Sequence, residues 1–389
     1  MSKLIKKKLL FIDHESGHGG SSISLYNKIK LISKKNYEIY VILKKKSHLS
    51  IQYKKLGINI QYLQIPTITA LKNPLSNILY LIKFFFKFYM FYFQNLVLFQ
   101  KLNFFDLVHL NHENLFWLLK FIKKKCKTKV SISVRTILPK NLFSKFQSNI
   151  INSHADKKLF ISKENLIKFN ELVDFRKKNN FIILNFTDLK ARKNQFLIKK
   201  NKYKNFNIIS LSNFSYDRGL DRILEIAIEL KKKKIKNINF IFLGDYKFFS
   251  LKNFSFNKKN NLKKIAIKNK LSNIKFLGHK KNVSKYLDKS HLLIYLPRTD
   301  SAWGRNIIES LRCGVPVITC GKTNILIKNK VNGFFLKNFD RDKVIKLLMK
   351  LYSNRNLLTK MSLSAKNISL RKFNKKKIEK KLSDFIENK

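Results

Sequence analysis

The sequence predicts an α/β protein built from two Rossmann-like domains, each a parallel sheet flanked by helices. Three observations predict it. Short apolar runs of strand length alternate with helix-period segments through both halves of the chain, the pattern of parallel βαβ units. A glycine-rich loop follows the first apolar run and precedes the first helical segment, as in nucleotide-binding sheets. The chain has 389 residues and is 44% hydrophobic, enough to bury two cores of ordinary size.

In the first half, Lys8–Asp13 reads as a strand and His14–Ser22 as the loop after it. Ser21 or Ser22 is placed to cap a helix that carries Ile23, Leu25, Ile29 and Leu31. Gly17, Gly19 and Gly20 would allow close approach of a phosphate or sugar. The spacing is neither Gly-x-Gly-x-x-Gly nor a P-loop with its lysine. Glu38–Leu43 and Ile58–Leu63 read as the next strands. Ser76–Lys101 is the most apolar stretch, but Lys83 and Lys87 sit inside it and argue against a membrane span. At helical spacing Ser76, Lys83, Lys87, Gln94 and Lys101 share one narrow stripe. The result is a basic amphipathic helix that either lies in a membrane interface or packs on its own domain. Leu107–Leu110, Val130–Val134, Lys158–Ile161 and Phe181–Leu184 complete the series of strands.

Leu189–Phe206 is basic, polar and poor in pattern, the composition of a linker. Ile208–Leu211, Asn239–Leu243, Ile274–Leu277 and His291–Leu296 then read as strands. Leu220, Ile223, Leu224, Ala227 and Leu230 form a helical stripe between the first two. Pro297 and the polar Arg298–Ser301 end the fourth strand. Ile307, Ile308 and Leu311 give one apolar face to a short helix. Gly314 stands where a C′ glycine would, and Val315, Val317 and Ile318 start another strand. Glu309 is thereby carried on a helix whose N-terminus points into a strand-end crevice, where anions are favoured. The plainer reading is a surface glutamate in an ordinary βαβ unit. Residues 341–388 read as consecutive basic helices.

Within residues 299–320, Gly304, Glu309, Cys313, Gly314, Pro316, Val317 and Ile318 stand in one register. The segment resembles the nucleotide-sugar signature of the family-4 ("group 1") retaining glycosyltransferases of GT-B fold: Glu, two residues, Gly, four residues, Glu-Ala-(Met or Leu)-Ala-Cys-Gly-x-Pro-Val-Ile. The family's first glutamate is replaced by Ser301, with Asp300 one residue earlier. Asn185-Phe-Thr-Asp188 resembles the Asn-Gly-(Val or Ile)-Asp that closes the family's N-terminal domain. The resemblance implies two Rossmann-like parallel-sheet domains facing a central cleft. Residues 1–188 would form the acceptor-side domain, 189–206 the linker and 207–370 the nucleotide-sugar domain. Residues 371–389 would form a helix crossing back to the first domain.

The resemblance also implies roles. Glu309 would hold the donor ribose and Asp300 or Ser301 the sugar. The family's Gly-Arg-x(4)-Lys-Gly falls on Ser212–Gly219. Arg218 would then serve as the lysine on the diphosphate, and Asn213 replaces the arginine. Arg305, beside Gly304, is a candidate for the missing charge, and Gly278 joins the donor-binding set. Arg135 falls on the family's N-domain histidine, with His109 and His112 at a neighbouring strand end. The Gly17–Ser22 loop would border the cleft. In so basic a chain each lone cation also reads as a solvated surface charge. The nucleotide-sugar is a substrate; nothing in the sequence calls for a cofactor or a metal. Asp340-Arg-Asp342 matches another fold's metal motif but sits at a helix start, where acids cap. Cys320–Thr323 has the wrong spacing for a Walker A ending.

The charge is +59, from 82 Lys+Arg against 23 Asp+Glu. A/T-rich codon bias, attraction to an anionic membrane and attraction to nucleic acid all account for such an excess. The basic residues form no single stripe and no nucleic-acid motif occurs, which makes nucleic acid the weakest of the three. The N-terminal apolar run is too short for a signal peptide, and Cys126, Cys313 and Cys320 make no disulfide framework. A cytoplasmic setting at the inner face of the membrane is expected. The expected activity is retaining transfer of a sugar from a nucleotide-sugar to a glycan or lipid-linked glycan. A catalytically weakened GT-B scaffold acting as an assembly partner is the second reading, and a nucleic-acid-binding protein the third.

Overall fold

The computed structural model describes residues 6–15, 17, 19–33, 37–68, 74–94, 101–175, 179–246, 261–280, 282–298 and 304–387, with 74–81 and 94 described by backbone alone. The chain forms two compact units, residues 1–186 with 375–389, and residues 187–374.

The first unit runs β1 (Lys7–Asp13), α1 (Gly20–Ile32), β2 (Tyr37–Leu43), α2 (His48–Lys54), β3 (Asn59–Tyr62), α3 (Pro74–Gln94), β4 (Leu107–Leu110), α4 (Trp117–Lys125), β5 (Lys129–Val134), α5 (Leu142–His154), β6 (Lys157–Phe160), α6 (Lys163–Asn170) and β7 (Asn180–Ile182). The strands form one parallel sheet in the order β3-β2-β1-β4-β5-β6-β7. The order reverses between β1 and β4, so the ligand crevice expected of such sheets lies beyond Asp13 and Leu110. Buried Leu10, Ile12, Val108, Leu110, Val130 and Ile132 form the core of the sheet.

Two sequence expectations change here. Helix α1 starts at Gly20 with Gly19 as an uncapped N-cap, so Ser21 and Ser22 fall inside its first turn. Helix α3 is docked and exposed at once. Phe84 and Phe91 are buried, and Phe88 and Tyr92 pack on Trp117 and Phe121 of α4. On the opposite side Ile82, Phe85, Phe86, Tyr89, Met90 and Phe93 are exposed, Phe86 to 71%. Lys83 and Lys87 flank that side, also exposed. The side chains of Ser76 and Gln94 lie outside the described residues. Among the described residues no helix is long and apolar enough to cross a membrane.

The second unit runs α7 (Asn194–Asn201), β8 (Phe206–Leu211), α8 (Leu220–Lys232), β9 (Ile238–Leu243), α9 (Leu262–Lys268), β10 (Ile274–Phe276), α10 (Ser284–Leu287), β11 (Leu292–Tyr295), α11 (Arg305–Arg312), β12 (Val317–Cys320), β13 (Gly333–Leu336), α12 (Arg341–Ser353) and α13 (Arg355–Lys372). Its parallel sheet has the order β10-β9-β8-β11-β12-β13 and reverses between β8 and β11. Gly314 takes φ 67°, the left-handed conformation of a C′ glycine. Asp340 caps α12 by accepting from the Lys343 N–H at 2.9 Å, the structural role that separates it from a metal motif.

The stretch expected as a linker belongs to the second unit instead. Leu197 on α7 is fully buried, Lys200 Nζ donates to the Ser290 carbonyl at 2.7 Å, and Asn201 donates to Ser362 Oγ on α13 at 3.0 Å. Burial pushes the Lys200 ammonium down to about 8. The final helix, α14 (Lys375–Glu387), belongs to the first unit. It buries Ile378, Leu382, Phe385 and Ile386, an i, i+4, i+7, i+8 stripe. The Phe385 ring meets His109 and Phe181 edge-on at 5.7 and 5.2 Å.

Candidate active site

In the second unit the candidate residues gather at the C-terminal ends of the strands. After β8 the chain passes Ser212 and Asn213, makes a single 3-10 turn at Tyr216–Arg218, and enters α8 through Gly219. Gly219 has φ 63°, and a Cβ there would lie 2.0 Å from the Leu296 carbonyl oxygen, so only glycine lets this turn lie against the end of β11. The turn is fixed from below. Arg298 donates to both Asp221 oxygens and to the Tyr216 carbonyl, and its guanidinium sits 4.3 Å over the Tyr216 ring. Arg218, half-buried, donates to Tyr295 Oη on β11 at 2.6 Å. A phenol holds the guanidinium in place without neutralising it.

Helix α11 enters the same edge. Asn306 Nδ2 donates to the carbonyl of Leu211, the last residue of β8, at 3.1 Å, and Asn306 Oδ1 accepts from the Ile307 N–H at 2.9 Å. The start of α11 is thus tied beside the turn that carries Asn213. One turn in, Glu309 is 6% exposed and pairs with Arg305 Nη2 at 2.7 Å. Burial raises the Glu309 pKa, and the Arg305 charge opposes that rise. Arg305 was expected to supply a cation for the diphosphate; the structure uses it to hold Glu309. Gly278 follows β10, two strands from β8. Its carbonyl accepts from Gly244 N at 3.0 Å, and a Cβ on Gly244 would stand 2.0 Å from the Ser212 carbonyl oxygen. Asp300 and Ser301 lie outside the described residues.

In the first unit a buried polar cluster occupies the switch point. Arg135, just past β5, is 9% exposed. Its Nη1 donates to Asn111 Oδ1 at 2.9 Å, its Nη2 to Asn185 Oδ1 at 3.3 Å, and its N–H to Glu113 Oε2 at 2.8 Å. Asn111 in turn donates to Asp13 Oδ1 at 3.1 Å. Arg135 was expected to face the sugar; here its guanidinium ties strand ends together. Burial lowers its pKa, and Glu113, Asp13 and Glu15 oppose that. Lys28 Nζ is also buried, makes no hydrogen bond among the described residues, and is held well below the ordinary lysine range by burial and then by Arg135.

His109 lies within β4, its ring nitrogens 2.9 Å from Ser131 and Ser133, a core histidine. His112 stands at the strand end against His14, ring centroids 4.8 Å apart, and burial pushes it down to about 3, so it is a neutral imidazole at neutral pH. The glycine loop is filled from inside. A Cβ on Gly19 would lie 1.7 Å from Glu15 Oε2, and the Ser21 hydroxyl donates to the same carboxylate. Gly17 has φ 93°, and Gly20 has nothing within 4 Å of a Cβ. Of the phosphate or sugar expected from its glycines, the loop, with Asp13 and Glu15 behind it, suits hydroxyl donors better than phosphate. Among the described residues no group of His, Cys, Asp and Glu could hold a metal ion.

Residues 190–368 match the model of the glycosyl transferases group 1 family. The second unit is a group 1 glycosyl transferase domain. No curated protein matches the sequence. Among solved structures, HepE from Anabaena, in complex with UDP and glucose, aligns at TM-score 0.77 and 17% identity over 98% of this chain and 99% of its own. Sucrose-phosphate synthase from Thermosynechococcus elongatus aligns at 0.74 and 11% identity over 98% and 99%. A variant of TarM from S. aureus, with Fondaparinux, alpha-GlcNAc-glycerol and UDP, aligns at 0.70 and 12% identity over 98% and 99%. The fold is GT-B.

In this domain the sequence reading missed the supports of the site. Tyr295, Asn306 and the Arg298–Asp221 pair are tertiary partners with no local pattern. The Arg305–Glu309 pair had a signal, opposite charges at i, i+4 on a short helix.

Proposed function

We propose that this chain is a retaining, metal-independent glycosyltransferase that moves a sugar from a nucleotide-sugar donor to a glycan or lipid-linked glycan at an anionic membrane surface. The observation that carries the donor half is the joint placement of Glu309, buried on α11, and Arg218, on the turn after β8, at one strand-end edge of a group 1 domain. A carboxylate suits the two hydroxyls of a ribose. A guanidinium positioned by the Tyr295 hydroxyl suits the diphosphate, most of all as the leaving group gains charge. HepE and TarM were solved with UDP, which makes uridine donors the first to test. Thermal shift and nucleoside-diphosphate release with UDP-, GDP-, ADP- and dTDP-sugars test the reading. One nucleotide series should stabilise the protein and release its diphosphate. Stabilisation without release would support the non-catalytic scaffold instead, and no response to any donor would defeat the proposal. NMR of the product anomer tests retention.

The membrane half rests on α3. Its docked face satisfies the core, and the opposite face leaves a row of large apolar side chains beside Lys83 and Lys87. Each basic residue near an anionic surface is worth about 1 kcal/mol, whereas burying one Phe or Met is worth about 1.5–3 kcal/mol. Charge therefore governs approach and the aromatic row governs retention. Phe86→Ala/Phe93→Ala should release the protein from anionic liposomes more completely than Lys83→Glu/Lys87→Glu, and salt should release the wild type only in part. Equal binding of the aromatic variant and the wild type would contradict this role for α3.

A further inference from the structure

At the N-terminal ends of β1, β4, β5 and β6, on the opposite edge of the first sheet from the candidate site, the surface opens into a cavity of about 780 Å³. Lysines dominate its lining. The last turn of α4 delivers Lys124 and Lys125, the following loop Lys127, and the start of β5 Lys129. That loop is fixed: Lys127 N–H donates to Asn103 Oδ1 at 3.1 Å and Thr128 Oγ1 to the Leu102 carbonyl at 2.8 Å.

The lining lysines divide into two groups. Lys7 pairs with Glu387, Lys123 pairs with Asp156 at 2.7 Å, and Lys157 Nζ donates to the last carbonyls of α14. Lys124, Lys125, Lys127 and Lys129 are exposed and make no ion pair among the described residues. The lining acids are already engaged. Asp106 accepts from the Lys8 N–H at 2.7 Å, and Glu387 accepts from Lys7 and Tyr37. The positive charge is concentrated enough to act on its neighbours: burial first, and then Lys129 and Lys7, bring Lys157 down to about 8.

A scattered surface lysine needs no ligand, even in a chain this basic. A concave wall of unneutralised ammonium groups focuses the field and collects counter-ions. Ammonium groups are compact point charges that suit phosphate oxygens. We infer that this basin is a binding site for an anion carrying several phosphate groups, either free or on a lipid headgroup. The basin belongs to the first unit and the donor residues to the second, and the inference does not rest on glycosyl transfer.

Isothermal titration of the full chain with tripolyphosphate, at low and at physiological salt, tests it. One ion per chain should bind, and about tenfold more weakly in Lys124→Gln/Lys125→Gln and in Lys127→Gln/Lys129→Gln. A control carrying Lys263→Gln, Lys264→Gln, Lys268→Gln and Lys275→Gln, exposed lysines of the second unit, should bind like wild type. Failure of tripolyphosphate, with phosphatidylinositol bisphosphate vesicles bound through the same four basin lysines, would assign the phosphates to a lipid. Equal losses in the control and basin variants, or many weak ions per chain, would overturn the inference in favour of diffuse charge. So would failure of both probes.

Discussion

Arg218→Ala should lower kcat by about 10²–10³-fold, the usual cost of removing one preorganised donor from developing charge. KM for the donor should change far less, because the leaving diphosphate gains charge mainly in the transition state. Arg218→Lys should recover part of the rate, since the family uses lysine at this point of the motif. Tyr295→Phe should give a smaller loss, because the phenol positions the guanidinium but does not neutralise it. Steady-state kinetics on the refolded variants, with a thermal melt to establish folding, check all of this. Normal turnover in the alanine variant would remove Arg218 from the reaction.

Glu309→Ala should weaken nucleotide binding by about 1.5–3 kcal/mol, the range for hydrogen bonds to a charged group. Glu309→Gln keeps the shape but loses the charge and the pair with Arg305, and should fall between alanine and wild type. Only the ionised carboxylate can accept from both ribose hydroxyls. Because burial raises the Glu309 pKa, affinity should decline with falling pH from above the ordinary carboxylate range. Titration calorimetry against pH measures this. A folded Glu309→Ala variant with unchanged affinity at every pH would refute the role.

The elements that could be read most directly from sequence are the buried central strands. Leu292–Tyr295 and the centres of most other strands are continuous apolar runs, and such runs fix a buried parallel strand whatever surrounds it. Strand β13 was not read, because Gly333–Leu336 is only 4 residues between polar segments and pairs at a sheet edge. Helix α7 was hidden by its lysines: Lys200 is buried through a carbonyl partner 90 residues away, which composition cannot show.

The site divides in the same way. The short helix that carries Glu309 follows from local pattern, and Arg218 from the resemblance to the family motif. What the side chains do there depends on tertiary neighbours. Pattern alone could place Arg135 at a strand end, but only Asn111, Asn185 and Glu113 show that it braces the sheet. The amphipathic reading of α3 placed Lys83 and Lys87 on its exposed side, while Lys101 falls beyond the helix. It could not divide the apolar remainder into a docked face and an open one, because Trp117 and Phe121 make that division from a different helix.

The central claim is that a nucleotide-sugar binds at the strand-end edge that carries Arg218 and Glu309. Hydrogen–deuterium exchange of the full chain, with and without saturating UDP-sugar or whichever donor gives the largest thermal shift, tests it most directly. The account predicts slower exchange at residues 213–220 and 304–312, and unchanged exchange along β5 and β6. Protection confined to other segments, with 213–220 and 304–312 exchanging as in the free protein, would contradict it.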